Sequence, residues 1–283
     1  MSARSVACVG ISLLLTSSFS CSVFRHSSKS AAMPGTWQAV PIAIDGDSKD
    51  WPSPYPNYDA KAFIAYATSN DRDNLYITME TGDEVTQLKI LRQGMTVSID
   101  TSGGKNTSRS INFPLVNDNE LELPSDQALV HMSPQFKQKL YKQAEFANQF
   151  SIEGFPDCNG GYLATQTAPC GIKVRMRIDE FKQLVWEAQV PFKALYGTTA
   201  IPPDFAGKKI SVCYTVKGFK RNTPKGTDNT SSSSNMDQNM GGATIGGNSR
   251  QGGLRTATRT AESPVERMYE TTKTWKHFGL EYK

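Results

Sequence analysis

The chain reads as an all-β, antiparallel β-sandwich with one inserted amphipathic helix and a long disordered loop, and three observations predict it. After an Asn- and Asp-rich turn at Asn70–Asn74, Leu75, Ile77 and Met79 alternate with Tyr76, Thr78 and Glu80, the period-2 pattern of a strand. After Gly94 a second run sets Met95, Val97 and Ile99 against Thr96, Ser98 and Asp100. Each run has an apolar and a polar face, as expected of an antiparallel sheet with one side in a core and the other in water. Third, 22 Gly and 15 Pro accompany 38% hydrophobic and 10% aromatic residues, so many turns surround a substantial core. The 283 residues suffice for one large all-β domain or two small ones.

The first segment has an address rather than a fold. Arg4 supplies positive charge, and Val6 to Leu15 is an apolar stretch too short to span a bilayer. Ser18-Phe19-Ser20-Cys21 then resembles a bacterial lipoprotein signal, in which the cysteine becomes the first residue and carries lipid. A plain secretory signal cleaved nearby is the other reading. Ser22 to Pro34 is Ser-rich, basic and aperiodic, a tether. Ser22 after the lipid cysteine, with no acidic run following, implies outer-membrane retention in a bacterial envelope. The expected organisation is therefore a signal at 1–20, a tether at 21–35 and the sandwich at 36–283. The 31 Lys and Arg less Arg4, against 27 Asp and Glu, leave the mature chain at +3, too weak and scattered for a nucleic-acid surface.

Thr36 to Ile44 alternates loosely and reads as an edge strand, since Pro41 cannot donate to a ladder. A turn at Asp45–Asp50 leads to Trp51. Pro52, Pro54 and Pro56 make the next stretch extended, with Tyr55 and Tyr58 along it. Lys61 to Thr68 is the following strand.

These motifs carry a resemblance. Ile44-Asp-Gly with Asp50-Trp51, then Asn70-Asp with Asn74-Leu-Tyr-Ile77, then Gly94-Met-Thr-Val-Ser-Ile-Asp100 with Gly103-Gly-Lys105, and later Trp186-Glu-Ala-Gln-Val-Pro-Phe192, are similar to carbohydrate-binding modules of family 9 and to DOMON-like β-sandwich domains. The resemblance covers roughly Val40 to Phe219 and resumes at Trp275. It implies a β-sandwich and, as first-choice ligand, carbohydrate.

Further along, Ser110 to Leu115 is a short strand. Ser133 as N-cap and Pro134 at the first helical position open a helix to Gln149. Phe136, Leu140, Ala144 and Ala147 lie on one face of it and Lys137, Lys139 and Lys142 off it. A small, Ala-rich apolar face favours packing on the sandwich over lying on a membrane. Beyond the signal remain Cys21, Cys158, Cys170 and Cys213. In an oxidising compartment Cys158 and Cys170 form the expected disulfide, closing a short loop for roughly 3 kcal/mol. Cys213 within Ile210–Val216 is a buried small apolar residue. No closely spaced pair suggests a Cys-based zinc site. Gly171–Ile178 and Gln183–Phe192 form a hairpin around Asp179-Glu180, and Lys208–Phe219 is a further strand. From 221 to 261 periodicity vanishes among Ser, Thr, Asn and Gly, and a strand pattern returns from Glu270 to Tyr282.

What chemistry do these residues support? No Gly-x-Ser-x-Gly, His-Glu-x-x-His or phosphate loop occurs, and the expectation is a protein that is not an enzyme. Haem, known for some DOMON-like domains, has Met79 and Met95 as candidates with His131, but core packing explains both methionines. For a sugar, Trp37, Trp51, Tyr55, Tyr58 and Tyr162 offer flat rings and Glu187 a carboxylate. Against that, Trp51 also suits an end plug of the sandwich, Trp186 falls on the core face, and Glu187 either bonds a hydroxyl or faces water. Asp45, Asp47 and Asp50 are oxygen ligands of the type Ca²⁺ takes, as are Asp71 and Asp73 with Asn74; capping of turns is the competing account. The leading expectation is a non-catalytic, lipid-anchored carbohydrate-binding protein. The alternative is a protein-interaction or scaffold component whose Gly/Ser-rich loop meets a partner.

Overall fold

Two β-sheets face each other across one apolar core in a computed structural model that describes residues 33–116, 132–197, 201–221 and 263–283. The strands are β1 (Met33–Pro34), β2 (Thr36–Trp37), β3 (Asn57–Asp59), β4 (Ile64–Asn70), β5 (Asn74–Thr81), β6 (Met95–Asp100), β7 (Ser110–Phe113), β8 (Gln149–Glu153), β9 (Gly160–Leu163), β10 (Lys173–Ile178), β11 (Leu184–Pro191), β12 (Lys209–Val216) and β13 (Thr272–Gly279). The seven-stranded sheet runs β1-β13-β12-β6-β7-β8-β9, and the six-stranded sheet runs β10-β11-β5-β4-β2 with β3 also on β4. Among the described residues the helices are α1 (Glu84–Gln93), α2 (Pro134–Phe146), α3 (Phe192–Tyr196) and α4 (Pro264–Tyr269), besides two short 3-10 turns. None of them is long and apolar enough to cross a membrane.

Both alternating runs become strands with the expected phase. Leu75, Ile77 and Met79 on β5 and Met95, Val97 and Ile99 on β6 are all buried in the shared core. The two strands lie in different sheets, and α1 carries the chain across between them. Polar groups cross the core as well. The Trp186 indole N–H donates to the Phe113 carbonyl at 3.3 Å and the Tyr214 hydroxyl to the Thr78 carbonyl at 3.2 Å, so each buried polar tip has its partner.

The structure corrects the expected water-facing side of β5. Tyr76 and Thr78 are fully buried, because residues 38–56 run over that face as a strap. Ile42 and Trp51 from the strap close on Ala67 and Tyr76 in a second apolar cluster, with Ile44 and Tyr55 packed against it. The predicted edge strand from Thr36 to Ile44 shrinks to Thr36–Trp37, paired parallel to β4, and Met33–Pro34 pairs parallel to β13. The sandwich is thus antiparallel apart from these two short pairs.

The predicted helix is present from Pro134 to Phe146, with the Ser133 side chain accepting from the Phe136 N–H and Leu140 and Ala144 buried. Between the two alternating runs, residues 84–93 form the helix α1. Strands β8 and β9 lie where no strand was expected. Cys158 and Cys170 form the expected disulfide, and Cys213 is a buried free thiol. The signal, Cys21, the tether up to residue 32, His131 and residues 222–261 lie outside the described residues.

Candidate functional site

The rings nominated from sequence do not converge. Trp37 is half-buried against Tyr282, ring centroids 6.3 Å apart. Tyr58 is exposed on β3. Tyr162 leans on Phe150 on the far edge of the other sheet, centroids 5.7 Å apart.

Trp51, Tyr55 and Glu187 do come together, but under the strap. Glu187 is fully buried and accepts three N–H bonds: the Trp51 indole at 2.6 Å, Gly46 N at 2.7 Å and Asp45 N at 3.1 Å. Burial pushes its carboxyl up to about 7, and the indole and Gly46 bonds hold it from rising further. Gly46 has φ +83°, and a Cβ there would lie 2.7 Å from the Arg177 Cβ, so only glycine brings its N–H to the carboxylate without strain. Tyr55 bonds Thr78 at 3.3 Å through its hydroxyl. Glu187 is therefore turned away from water and latches the strap, and Trp51 packs under it as the plug.

The acidic turns are spent on capping. Asp45 accepts from Asp47 N at 2.8 Å, Asp47 from Lys49 N at 3.1 Å and from the Lys49 ammonium at 2.8 Å, and Asp50 from Ala43 N at 3.0 Å. Asp71 accepts from Asp73 N, Asn74 N and the Tyr76 hydroxyl. No group of three or more His, Cys, Asp or Glu side chains converges as a metal site among the described residues. Met79 and Met95 are fully buried in the apolar core. Ser211 Oγ lies 2.6 Å from His277 Nδ1, but Ser211 is fully buried, so that pair presents no nucleophile.

An open groove of about 620 Å³ lies between α2, the start of α1 and the β10–β11 turn. Two aromatic rings line it, Tyr141 from α2 and Phe181 from the turn, with Gln138, Lys142, Glu145, Lys182 and Gln183 around them. Phe181 is 75% exposed, yet the turn that carries it is locked. Gln183 N donates to the Asp179 carboxylate at 2.8 Å, Lys182 N to the Asp179 carbonyl at 3.1 Å, and the buried Gln87 amide of α1 to the Lys182 carbonyl at 2.7 Å. Lys137 and Glu84 close one wall as an ion pair. The Lys182 ammonium stands 5.9 Å from the Tyr141 ring centre. Partial burial pushes the Tyr141 hydroxyl up, so it stays a neutral donor and acceptor. The arrangement suits a ligand with an apolar face to stack and hydroxyls to bond.

Sequence reasoning missed Tyr141 and Phe181. Tyr141 falls beside, not on, the apolar face of α2. Phe181 had a usable signal: a large ring at the tip of an Asp179-Glu-Phe-Lys182 turn, where small polar residues are the rule. No family model matches the chain, and no curated protein matches it.

Proposed function

We propose that this chain is a non-catalytic binding protein of the bacterial envelope and that its ligand is carbohydrate, seated in the groove between α2 and the β10–β11 turn. One observation carries the reading. Phe181 is held out in water on a turn fixed by the buried Gln87, opposite Tyr141 and beside amide, ammonium and carboxylate groups. An exposed ring loses free energy in water unless something covers it, and a rigid one is pre-organised for stacking. Sugar rings offer apolar faces to aromatic rings and hydroxyls to Gln138, Gln183 and Glu145. The resemblance to family 9 modules points to the same ligand class, by a different set of rings from those the sequence nominated. The lipid anchor at Cys21 belongs to this reading and is tested by fractionation, with Cys21→Ser expected in the soluble fraction.

The direct test is a glycan array followed by calorimetry on the best ligand. Phe181→Ser and Tyr141→Ala should each weaken binding by about tenfold, the scale of one lost aromatic contact. Thermal stability of Phe181→Ser should stay near wild type, because its ring is exposed. Glycan binding indifferent to both changes would remove the groove from the proposal.

A further inference from the structure

A second cavity, of about 440 Å³, opens on the outer face of the seven-stranded sheet, within the range of small-molecule sites at about 300–1,000 Å³. Its floor comes from three adjacent strands held in register: Thr96 on β6 lies opposite Asn112 on β7, which lies opposite Ser151 on β8. These three side chains form a relay. The Thr96 hydroxyl donates to Asn112 Oδ1 at 2.5 Å, and Asn112 Nδ2 donates to Ser151 Oγ at 3.2 Å. Counting donors and acceptors, Asn112 keeps one N–H and one lone pair, and Ser151 keeps its hydroxyl proton. No aromatic ring lines this cleft, in contrast to the groove, so stacking is not its chemistry.

The walls are charged. Arg92, in the last turn of α1 and 7% exposed, contributes a guanidinium. Lys217 adds an exposed ammonium and Glu153 an exposed carboxylate. The lining thus carries one more positive charge than negative above a floor of hydroxyl and amide groups, on strands that cannot shift without breaking the ladder.

We propose that this cleft is a second ligand site, for a small polyhydroxylated acid. Its hydroxyls meet Thr96, Asn112 and Ser151, and its carboxylate lies toward Arg92 and Lys217. The inference is independent of the groove, since the two cavities share no residue.

Calorimetric titration with glucuronate, glucose and acetate tests it. Glucuronate should bind at least about tenfold more tightly than glucose, which lacks the charge, and than acetate, which lacks the hydroxyls. Asn112→Ala and Ser151→Ala should each weaken glucuronate by about fivefold, the scale of one hydrogen bond. Lys217→Glu, a surface change that leaves the fold intact, should abolish the preference for glucuronate over glucose. Phe181→Ser should leave glucuronate binding unchanged. The proposal is overturned by glucuronate binding no better than glucose. It is equally overturned if Lys217→Glu and Ser151→Ala both have no effect, or if Phe181→Ser abolishes the binding.

Discussion

Glu187 shows how a single residue decides what a sheet face does. Its alternation with Trp186 placed it correctly on the opposite side of β11, and two fates were open there, a ligand hydroxyl or water. The structure provides a third: the chain's own strap, through the Trp51 indole and the Asp45 and Gly46 backbone. Polar alternation reports that a face is polar and cannot report that residues far away in sequence will cover it. The contact makes a testable demand. Glutamine at 187 would turn an NH₂ group, which cannot accept, toward one of three N–H donors, whereas the neutral acid still accepts through its hydroxyl oxygen, so Glu187→Gln should cost roughly 2 kcal/mol at pH 5. The pH dependence follows from the direction of the shift. Glu187 rises from an ordinary 4.5 to about 7 in the fold. Between those values the folded chain holds a proton that the unfolded chain has lost, so Glu187's contribution to stability is full below 4.5 and falls as pH rises toward 7. Glutamine does not titrate. Thermal unfolding of both proteins from pH 5 to 8 should therefore show the gap narrowing as pH rises. A gap that widens would mean that the N–H bonds outweigh burial and hold the carboxylate ionised.

Among the elements, α1 was the least legible and does the most positioning. Residues 85–92 are all buried, including Gln87, Lys89 and Arg92, and polar residues on every side blurred the helical apolar stripe. What remained readable were its ends: Asp83, whose side chain accepts from Thr86 N, and Gly94 at the C-terminus. Two of these buried polar groups serve neighbours. The Lys89 ammonium donates to the carbonyls of Arg267 at 3.0 Å and Glu270 at 2.6 Å at the end of α4, and burial pulls it down to about 8. Gln87 donates to the Thr81 carbonyl at 2.8 Å as well as to Lys182, tying β5 to the turn that presents Phe181. The candidate groove was illegible for the same reason, since its order comes from this helix rather than from either lining segment. Gln87→Leu should leave both carbonyls without that donor and cost about 1–3 kcal/mol. It should also weaken glycan binding severalfold, although Gln87 does not line the groove. Calorimetry on the folded variant checks this; unchanged affinity would separate turn rigidity from recognition.

At the scale of the whole molecule, the sandwich class was readable because strand periodicity is local, while the closing of its open side was not, because that depends on residues 33–37 meeting strands far along the chain. Met33–Pro34 pairs with β13 in one sheet, and Thr36–Trp37 pairs with β4 in the other, so five residues clamp both sheets. Asn70 at the end of β4 adds a reciprocal pair with the Glu281 backbone, 2.9 Å in each direction, and Trp37 packs on Tyr282. The crossover between sheets is Gly35. Its N–H bonds the Gly279 carbonyl at 3.0 Å, and a Cβ there would stand 2.3 Å from that oxygen. Gly35→Val must push the two backbones apart, breaking the hinge of the clamp rather than a side-chain contact. The expected cost is about 1–3 kcal/mol, the range of small-to-large changes in tight packing, seen as a lower unfolding temperature. Deleting residues 33–37 goes further, because it leaves β13 and β4 with unpaired backbone groups, the condition under which sheet edges recruit other chains. Sedimentation of that deletion should show more concentration-dependent association than the intact chain does. If Gly35→Val unfolds at the wild-type temperature and the deletion associates no more than the intact chain, the clamp is ornamental, and the sandwich is held closed by its core and by Asn70.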